Sequence, residues 1–262
     1  MCATCGCGSE SPRFTTFGAT AGSRQGHGHG HRHGHGAHEH EHAEHASRTV
    51  VLEEQVLARN DLLAAENRRL MAERGVVVVN LMSSPGSGKT TLLARAVREL
   101  APQPIAVVEG DQETLLDAER IRATGCPVVQ INTGEGCHLD AAMLRRGLDA
   151  LDVVAGSLVF VENVGNLVCP ALFDLGETSR VVVMSVTEGA DKPAKYPHMF
   201  RTADLVLVNK VDLLPYVDFD PELCAERIRR INPTAGVLLV SATTGEGLAA
   251  WYAWLDTPGF AC

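Results

Sequence analysis

The sequence predicts an α/β fold, a mostly parallel sheet with helices on both faces, preceded by a Cys- and His-rich tail and one amphipathic helix. Three observations predict it. From Val76 onward, short β-branched runs alternate with stretches of helical spacing. The runs are apolar throughout rather than alternating, as in strands covered on both faces. The chain of 262 residues, 45% apolar, can also bury the core that such a sheet needs. Ligands of sheets of this kind sit at the carboxyl ends of the strands.

Composition removes several classes of function. The formal charge of −9 leaves no concentrated basic face for nucleic acid. The N-terminal "MCATCGCGSESPRF" lacks a charged segment followed by an apolar one, and no run reaches the ~18 apolar residues that span a bilayer. A cytoplasmic protein is expected, with its eight cysteines reduced.

Residues 1–48 are mostly Gly, Ser, His and Cys, too poor in apolar surface to offset the entropy of ordering, and are expected to be a disordered tail. Residues 49–74, "TVVLEEQVLARNDLLAAENRRLMAER", carry Val56, Leu63 and Leu70 at seven-residue spacing with Leu57, Ala64 and Met71 beside them. That stripe predicts an amphipathic helix, ended by Gly75, that packs on the α/β domain. Residues 75–262 form that domain. Its expected strands are "VVVVNLMS", "PIAVVEG", "PVVQIN", "SLVFVE", "RVVVMSV", "DLVLVN" and "GVLLVS". Between most of them lie "TTLLARAVREL", "ETLLDAERIRATG", "DAAMLRRGLDAL", "YPHMFRTA" and "PELCAERIRRI", with "EGLAAWYAWL" after the last.

The first strand ends in "SSPGSGKTT", Ser83–Thr91. The phosphate-loop pattern asks for G-x-x-x-x-G-K-[ST], and Ser83 stands where its first Gly would be. A strand enters this loop and a helix leaves it, so backbone N–H groups from Gly86, Ser87, Gly88, Lys89 and Thr90 can surround a phosphate, and Thr91 is assigned to the same nucleotide site. Lys89 would reach the β- and γ-phosphates and the Thr90 hydroxyl would bind Mg²⁺. A later strand ends in "NKVD". There the Asp212 carboxylate can accept from both N1–H and the exocyclic amine of guanine, a donor pair that adenine lacks, which selects GTP and GDP. Asn209 belongs to the same motif, Lys210 would lie along the base, and the backbone of "SAT", with Ser241 and Ala242, would meet the guanine O6.

Two strand-end acids complete this site. Asp111 in "EGDQET" is assigned to Mg²⁺ or to orienting the attacking water, and Glu162 in "VFVENVG", with Gly165, to sensing the γ-phosphate. The alternative for Glu162 is a carboxylate that merely caps a turn. Catalysis would be positioning and charge neutralisation around in-line attack by water, with no covalent step.

Metal-ligand residues occur in three groups. Cys2, Cys5 and Cys7 in "CATCGC", with a freed α-amine, suit Zn²⁺ as a tetrahedron or Ni²⁺ as a square plane. "GEGCHLD" supplies Cys137 and His138, and "NVGNLVCP" supplies Cys169, seven residues past Glu162. Metal and nucleotide would then share a loop, as coupling between them requires. Two adjacent ligands and one distant ligand also imply a fourth from water, a second copy or a partner. Cys126 and Cys224 fit as core thiols, and so does Cys262.

The third group is "HGHGHRHGHGAHEHEHAEH", with His27, His29, His31, His33, His35, His38, His40, His42 and His45. An engineered tag is usually uninterrupted and terminal, whereas this tract is spaced by Gly, Ala and Glu and comes after a cysteine cluster. It is expected to be a low-affinity, multi-ion reservoir, lost below pH ~6 as the imidazoles protonate.

A Walker-type "SSPGSGKTT", "NKVD", "ENVGNLVCP", "GCHLD" and an N-terminal "CxxCGC" before a His tract together resemble the HypB family, the nickel-inserting GTPases of hydrogenase maturation. The resemblance covers nearly the whole chain. It implies a P-loop GTPase of the signal-recognition and MinD-related (SIMIBI) class that forms a homodimer on GTP. Such a protein delivers Ni²⁺ to the large-subunit precursor of [NiFe] hydrogenase with a small nickel chaperone. It also implies a tight Ni²⁺ site at Cys2, Cys5 and Cys7, a weaker Ni²⁺/Zn²⁺ site at Cys137, His138 and Cys169, nickel storage in the His tract, and a dimer contact through Leu213 and Val217. Two alternatives share part of the pattern. A urease-type nickel GTPase would carry a Cys-x-His pair and lack "CxxCGC"; a nickel or zinc storage protein would use the fold only as a scaffold.

Overall fold

A computed structural model of the chain describes residues 13–16, 42–111, 115–134 and 136–256. Eight strands form one sheet: β1 (Arg13–Thr16), β2 (Val77–Ser83), β3 (Ile105–Asp111), β4 (Val128–Asn132), β5 (Leu158–Glu162), β6 (Ser179–Ser185), β7 (Leu205–Asn209) and β8 (Gly236–Leu239). Their spatial order is β1-β4-β3-β5-β2-β6-β7-β8. Every pairing is parallel except that of β1 with β4. The seven parallel strands are the seven apolar runs of the sequence. Among the described residues no helix is long and apolar enough to cross a membrane.

β1 lies where the sequence predicts no regular structure. It sets Arg13 opposite Asn132 and Thr16 opposite Val129. An aromatic and two β-branched residues suit a strand, and the ladder it completes covers the edge that β4 would otherwise expose.

Helices cover both faces. On one side are α2 (Lys89–Glu99), α3 (Leu116–Arg122) and α8 (Leu248–Leu255). There Leu92, Leu93, Ile121 and Trp251 pack on Val79, Leu81, Val107 and Phe160 of the central strands. The opposite side divides in two. α1 (His42–Glu73) and α4 (Ala141–Leu151) cover β2, β3, β4 and β5 through Met71, Leu144 and Leu148. Over β6 and β7 lie α6 (Pro197–Arg201) and α7 (Pro221–Ile231), preceded by the short α5 (Lys192–Lys195), with Met199, Phe200, Cys224 and Ile228 inside. The helical run "YPHMFRTA" begins only at Pro197, because Tyr196 before it takes φ −127°, ψ 55°, outside the helical region. Asp140 accepts from the Met143 N–H at the start of α4, and Asp220 from the Glu222 and Leu223 N–H groups at the start of α7.

α1 agrees with its expected stripe only in part. It starts at His42 rather than at residue 49, so His42 and His45 lie on its first turns. Gly75 at φ 62° ends it as predicted. Its buried positions, however, are Asn60, Ala64, Asn67 and Met71. Leu63 and Leu70 are half-buried, and Val56 is 50% exposed. Two asparagines outcompete the leucines for the inward face because their amides meet carbonyl and N–H groups of the body: Asn60 Nδ2 donates to Asp174 O (2.7 Å) and its Oδ1 accepts from the Ala141 N–H (2.9 Å). Asn67 Nδ2 donates to Ala141 O (2.8 Å) and Leu175 O (3.0 Å).

Gly176 lets the 174–177 segment pass beneath α1. It has φ +83°, and a Cβ there would stand 2.3 Å from Ala64 O and 3.0 Å from the Arg68 N. Both the positive φ and the backbone collision oppose a side chain, so Gly176→Ala is expected to lower unfolding free energy by at least about 2 kcal/mol in urea denaturation.

Candidate nucleotide and metal sites

The loop between β2 and α2 is held from within. Lys89 Nζ donates to Ser83 Oγ (2.6 Å), and Ser83 Oγ donates to Ser84 O (2.6 Å). The residue standing where the motif has its first Gly is therefore a partner of the motif lysine. Lys210, in the left-handed region at φ 63°, reaches back to Gly86 O (2.6 Å). Asn209 Nδ2 donates to Ser87 O (2.9 Å). Gly88, at φ +95°, sits where a Cβ would lie 2.6 Å from that same Asn209 Nδ2. Lys89 and Thr90, the first residues of α2, are buried, and Thr91 is half-buried. Ser84 donates to the carboxylate of Glu188 at the end of β6, which also accepts from the Ser185 N–H (2.9 Å).

The second half of this site comes from the ends of β7 and β8. Ser241 Oγ donates to Asp212 Oδ1 (2.5 Å), which fixes the carboxylate. The Ala242 N–H, expected to meet a base carbonyl, donates to Asn209 Oδ1 (3.0 Å). That donor is engaged within the protein, so a base oxygen there must share it. Asn209 thereby spans the phosphate loop and the "SAT" turn with a single amide.

At the end of β5, Glu162 Oε1 accepts from Thr90 Oγ1 (2.7 Å), while Oε2 is buried with no hydrogen-bond partner among the described residues. Burial pushes its pKa up to about 7, against the opposing pull of Lys89 and Thr90. Asp111 ends β3, close enough for its charge to raise Glu162. Gly165 lies against Pro85 of the phosphate loop, 3.2 Å from a Cβ position to its Cα. A further acid joins them: Glu109, 2% exposed and in register with Glu162 on β3. Desolvation first, then the charge of Glu162, pushes its pKa up to about 9. The one sign of it in the sequence is a carboxylate inside an otherwise apolar strand run, "AVVEGD".

The residue after Glu162 turns the other way. Asn163 Oδ1 accepts from the Leu139 N–H (3.1 Å) and its Nδ2 donates to Asn80 Oδ1 (3.3 Å) on β2. Asn80 in turn donates to Glu177 (3.2 Å), whose other oxygen accepts from the Leu175 N–H (2.7 Å). Leu139 is next to His138, and there the candidate metal residues meet. The ligand atoms of Cys137, His138 and Cys169 all lie within 4.8 Å of one another. The two sulfurs are 2.6 Å apart, and Cys137 Sγ is 3.7 Å from His138 Nδ1. Phe173 stacks on the imidazole at 3.8 Å between ring centroids. Burial lowers the His138 pKa and favours the neutral, ligating ring. One chain thus brings all three ligands together and leaves any fourth to come from outside the group. Cys126 and Cys224 are buried thiols with pKa pushed up to about 11 by desolvation, as core thiols should be. Cys2, Cys5, Cys7 and the histidines from His27 to His40 lie outside the described residues, as does Cys262. Leu213 and Val217 are half-buried, packed against the chain's own core beside α6 and α7.

The family model for the CobW/HypB/UreG nucleotide-binding domain matches residues 77–239. The hydrogenase maturation factor HypB of Azotobacter vinelandii is 57% identical over 211 residues, covering 80% of this chain and 70% of that one. The crystal structure of HypB from Helicobacter pylori in complex with nickel is 38% identical with a TM-score of 0.72, over 77% of this chain and 95% of that chain. A crystal structure of the hydrogenase maturation factor HypB from Archaeoglobus fulgidus is 42% identical with a TM-score of 0.70, over 76% and 98%.

Because Asn209 ties the loop to the "SAT" turn through one side chain, displacing it should disable binding without unfolding the sheet. Gly88→Ala is expected to weaken binding of a fluorescent guanine nucleotide about tenfold or more, with an unchanged far-UV circular dichroism spectrum.

Proposed function

The chain belongs to the HypB family of hydrogenase maturation factors, and on that premise we propose that it is a GTP-hydrolysing nickel metallochaperone. It binds Ni²⁺ at Cys137, His138 and Cys169 and delivers it to the hydrogenase large-subunit precursor, with a small nickel chaperone as partner. The observation that carries this reading is the end of β5, where Glu162 bonds Thr90 of the phosphate loop and Asn163 bonds Leu139, the neighbour of His138. A change at the γ-phosphate that moves this strand end moves the metal ligands with it.

Guanine is selected by Asp212, whose carboxylate Ser241 orients and whose acceptors match the two donors of the base. On arrival of the phosphates Lys89 leaves Ser83 for the β- and γ-oxygens, and the N–H groups from Gly86 to Thr90 surround them. Mg²⁺ fits beside Thr90, Glu162 and Asp111, since Glu162 keeps a buried oxygen with no protein partner among the described residues. When bound, the ion supplies neutralisation of the phosphate charge. Glu162 and Asp111, at the ends of β5 and β3, would orient the attacking water, and Lys89 would stabilise the charge that develops.

The Cys₂His set suits Ni²⁺ or Zn²⁺ as cargo, the fourth ligand coming from water or a partner. GTP-dependent homodimerisation would use the surface around Leu213 and Val217. Cys2, Cys5 and Cys7 are the tight nickel site of the proposal and the His tract its store, so deleting residues 27–45 lowers the nickel bound per chain in equilibrium dialysis.

The decisive measurement is Ni²⁺ affinity of the full chain with GDP and with a non-hydrolysable GTP analogue. The two values are expected to differ by at least fivefold. Asn163→Ala should bring them together, and equal values in the unaltered chain would favour the storage reading. Lys89→Ala should cut GTP turnover by about 100-fold or more in a phosphate-release assay.

A further inference from the structure

The inward face of α1 carries buried polar contacts that the nucleotide chemistry does not use. Asn60 and Asn67 stand two turns apart on one stripe, and each bridges the same two segments. One segment begins α4 at Ala141, three residues after His138. The other is Asp174–Leu175, which comes directly after Phe173, the ring stacked on His138, and lies five and six residues after Cys169. Asn60 takes the Ala141 N–H and gives to the Asp174 carbonyl; Asn67 gives to the Ala141 and Leu175 carbonyls. Both side chains are almost fully buried, at 6% and 2% exposure. On the outer side Arg68 Nη2 donates to both oxygens of the Asp174 carboxylate, at 2.8 Å to each.

We propose that Asn60 and Asn67 are positioning residues for the metal site, holding the Cys137–His138 segment and the Cys169–Phe173 segment at the separation that brings both thiols and the imidazole onto one ion. This inference rests on the reading of those three residues as nickel ligands. Its physical basis is that the two segments are far apart in sequence and separated by β5, so their spacing is not set by local backbone geometry. Buried amides that pair with both segments set it instead, with directional bonds that a leucine stripe lacks. α1 is then a strut whose removal loosens the ligands rather than a lid over apolar surface.

The test uses the full chain carrying Cys2→Ser, Cys5→Ser and Cys7→Ser, in which thiolate-to-nickel charge-transfer absorption reports on Cys137 and Cys169 while the His tract adds no sulfur band. Into this background go Asn60→Ala, Asn67→Ala and, as a control, Met71→Ala, which removes α1 packing about 16 Å along the helix axis from Asn60. The asparagine variants are expected to weaken nickel binding about tenfold, the cost typical of losing an outer-shell partner, and to shift or diminish the band. Met71→Ala is expected to lower the melting temperature and leave both band and affinity unchanged. Asn60→Asp keeps an acceptor for the Ala141 N–H but loses the donor to Asp174, and carries the same test with a smaller expected loss should an alanine variant fail to fold. Unaltered affinity and spectrum in the asparagine variants would overturn the proposal, and so would equal weakening by Met71→Ala. Absence of any sulfur band in the parent background would overturn the nickel reading itself and the inference with it.

Discussion

Glu162 and Asn163 are consecutive, and the alternation of an extended chain sends their side chains to opposite sides of the sheet. One meets the Thr90 hydroxyl at 2.7 Å and the other meets the Leu139 N–H at 3.1 Å. This pair joins the phosphate loop to the segment that carries His138. Their position is fixed by the ladder itself, since β5 lies between β2 and β3 and the Asn163 N–H donates to Leu81 O on β2. A central strand cannot slide without breaking both neighbours, so the sheet fixes where Glu162 and Asn163 stand.

The face that carries Asn163 is unusually polar for a sheet interior. Asn80, Glu177 and Asn163 are each at most 4% exposed and bond one another and the Leu139 and Leu175 N–H groups. Arg180 caps the chain of bonds with Glu177 at 2.6 Å. Each of these groups would cost about 1–3 kcal/mol if buried without a partner, whereas matched they fix one arrangement of the surrounding segments. An apolar filling of the same space would be compatible with several. The other face keeps its polarity at the phosphate-loop end, where Glu109 and Glu162 lie side by side.

The strands were legible in the sequence because parallel strands buried on both faces have no choice of composition, and all seven runs became strands. The phosphate loop, "NKVD" and the Cys137, His138 and Cys169 group were legible because their chemistry dictates residue type and spacing. What escaped was polar and long-range. Asn60 and Asn67 sit at the spacing of the apolar stripe, but an amide at such a position gives no sign of burial, and only the carbonyls of residues 141, 174 and 175 show why they turn inward. The engaged Ala242 N–H was hidden for the same reason, since its partner Asn209 is 33 residues away. β1 escaped because four residues carry too little pattern to stand out from their surroundings.

The internal bonds of the phosphate loop bear on how a nucleotide is received. Gly86 O and Ser87 O are already tied to Lys210 and Asn209, and Lys89 to Ser83. Fixing the backbone of five free residues would consume roughly 5–10 kcal/mol of conformational entropy at about 1–2 kcal/mol each. Here folding has already met that demand. A loop held in this way is ordered before any phosphate arrives, so a nucleotide would not have to freeze a mobile segment.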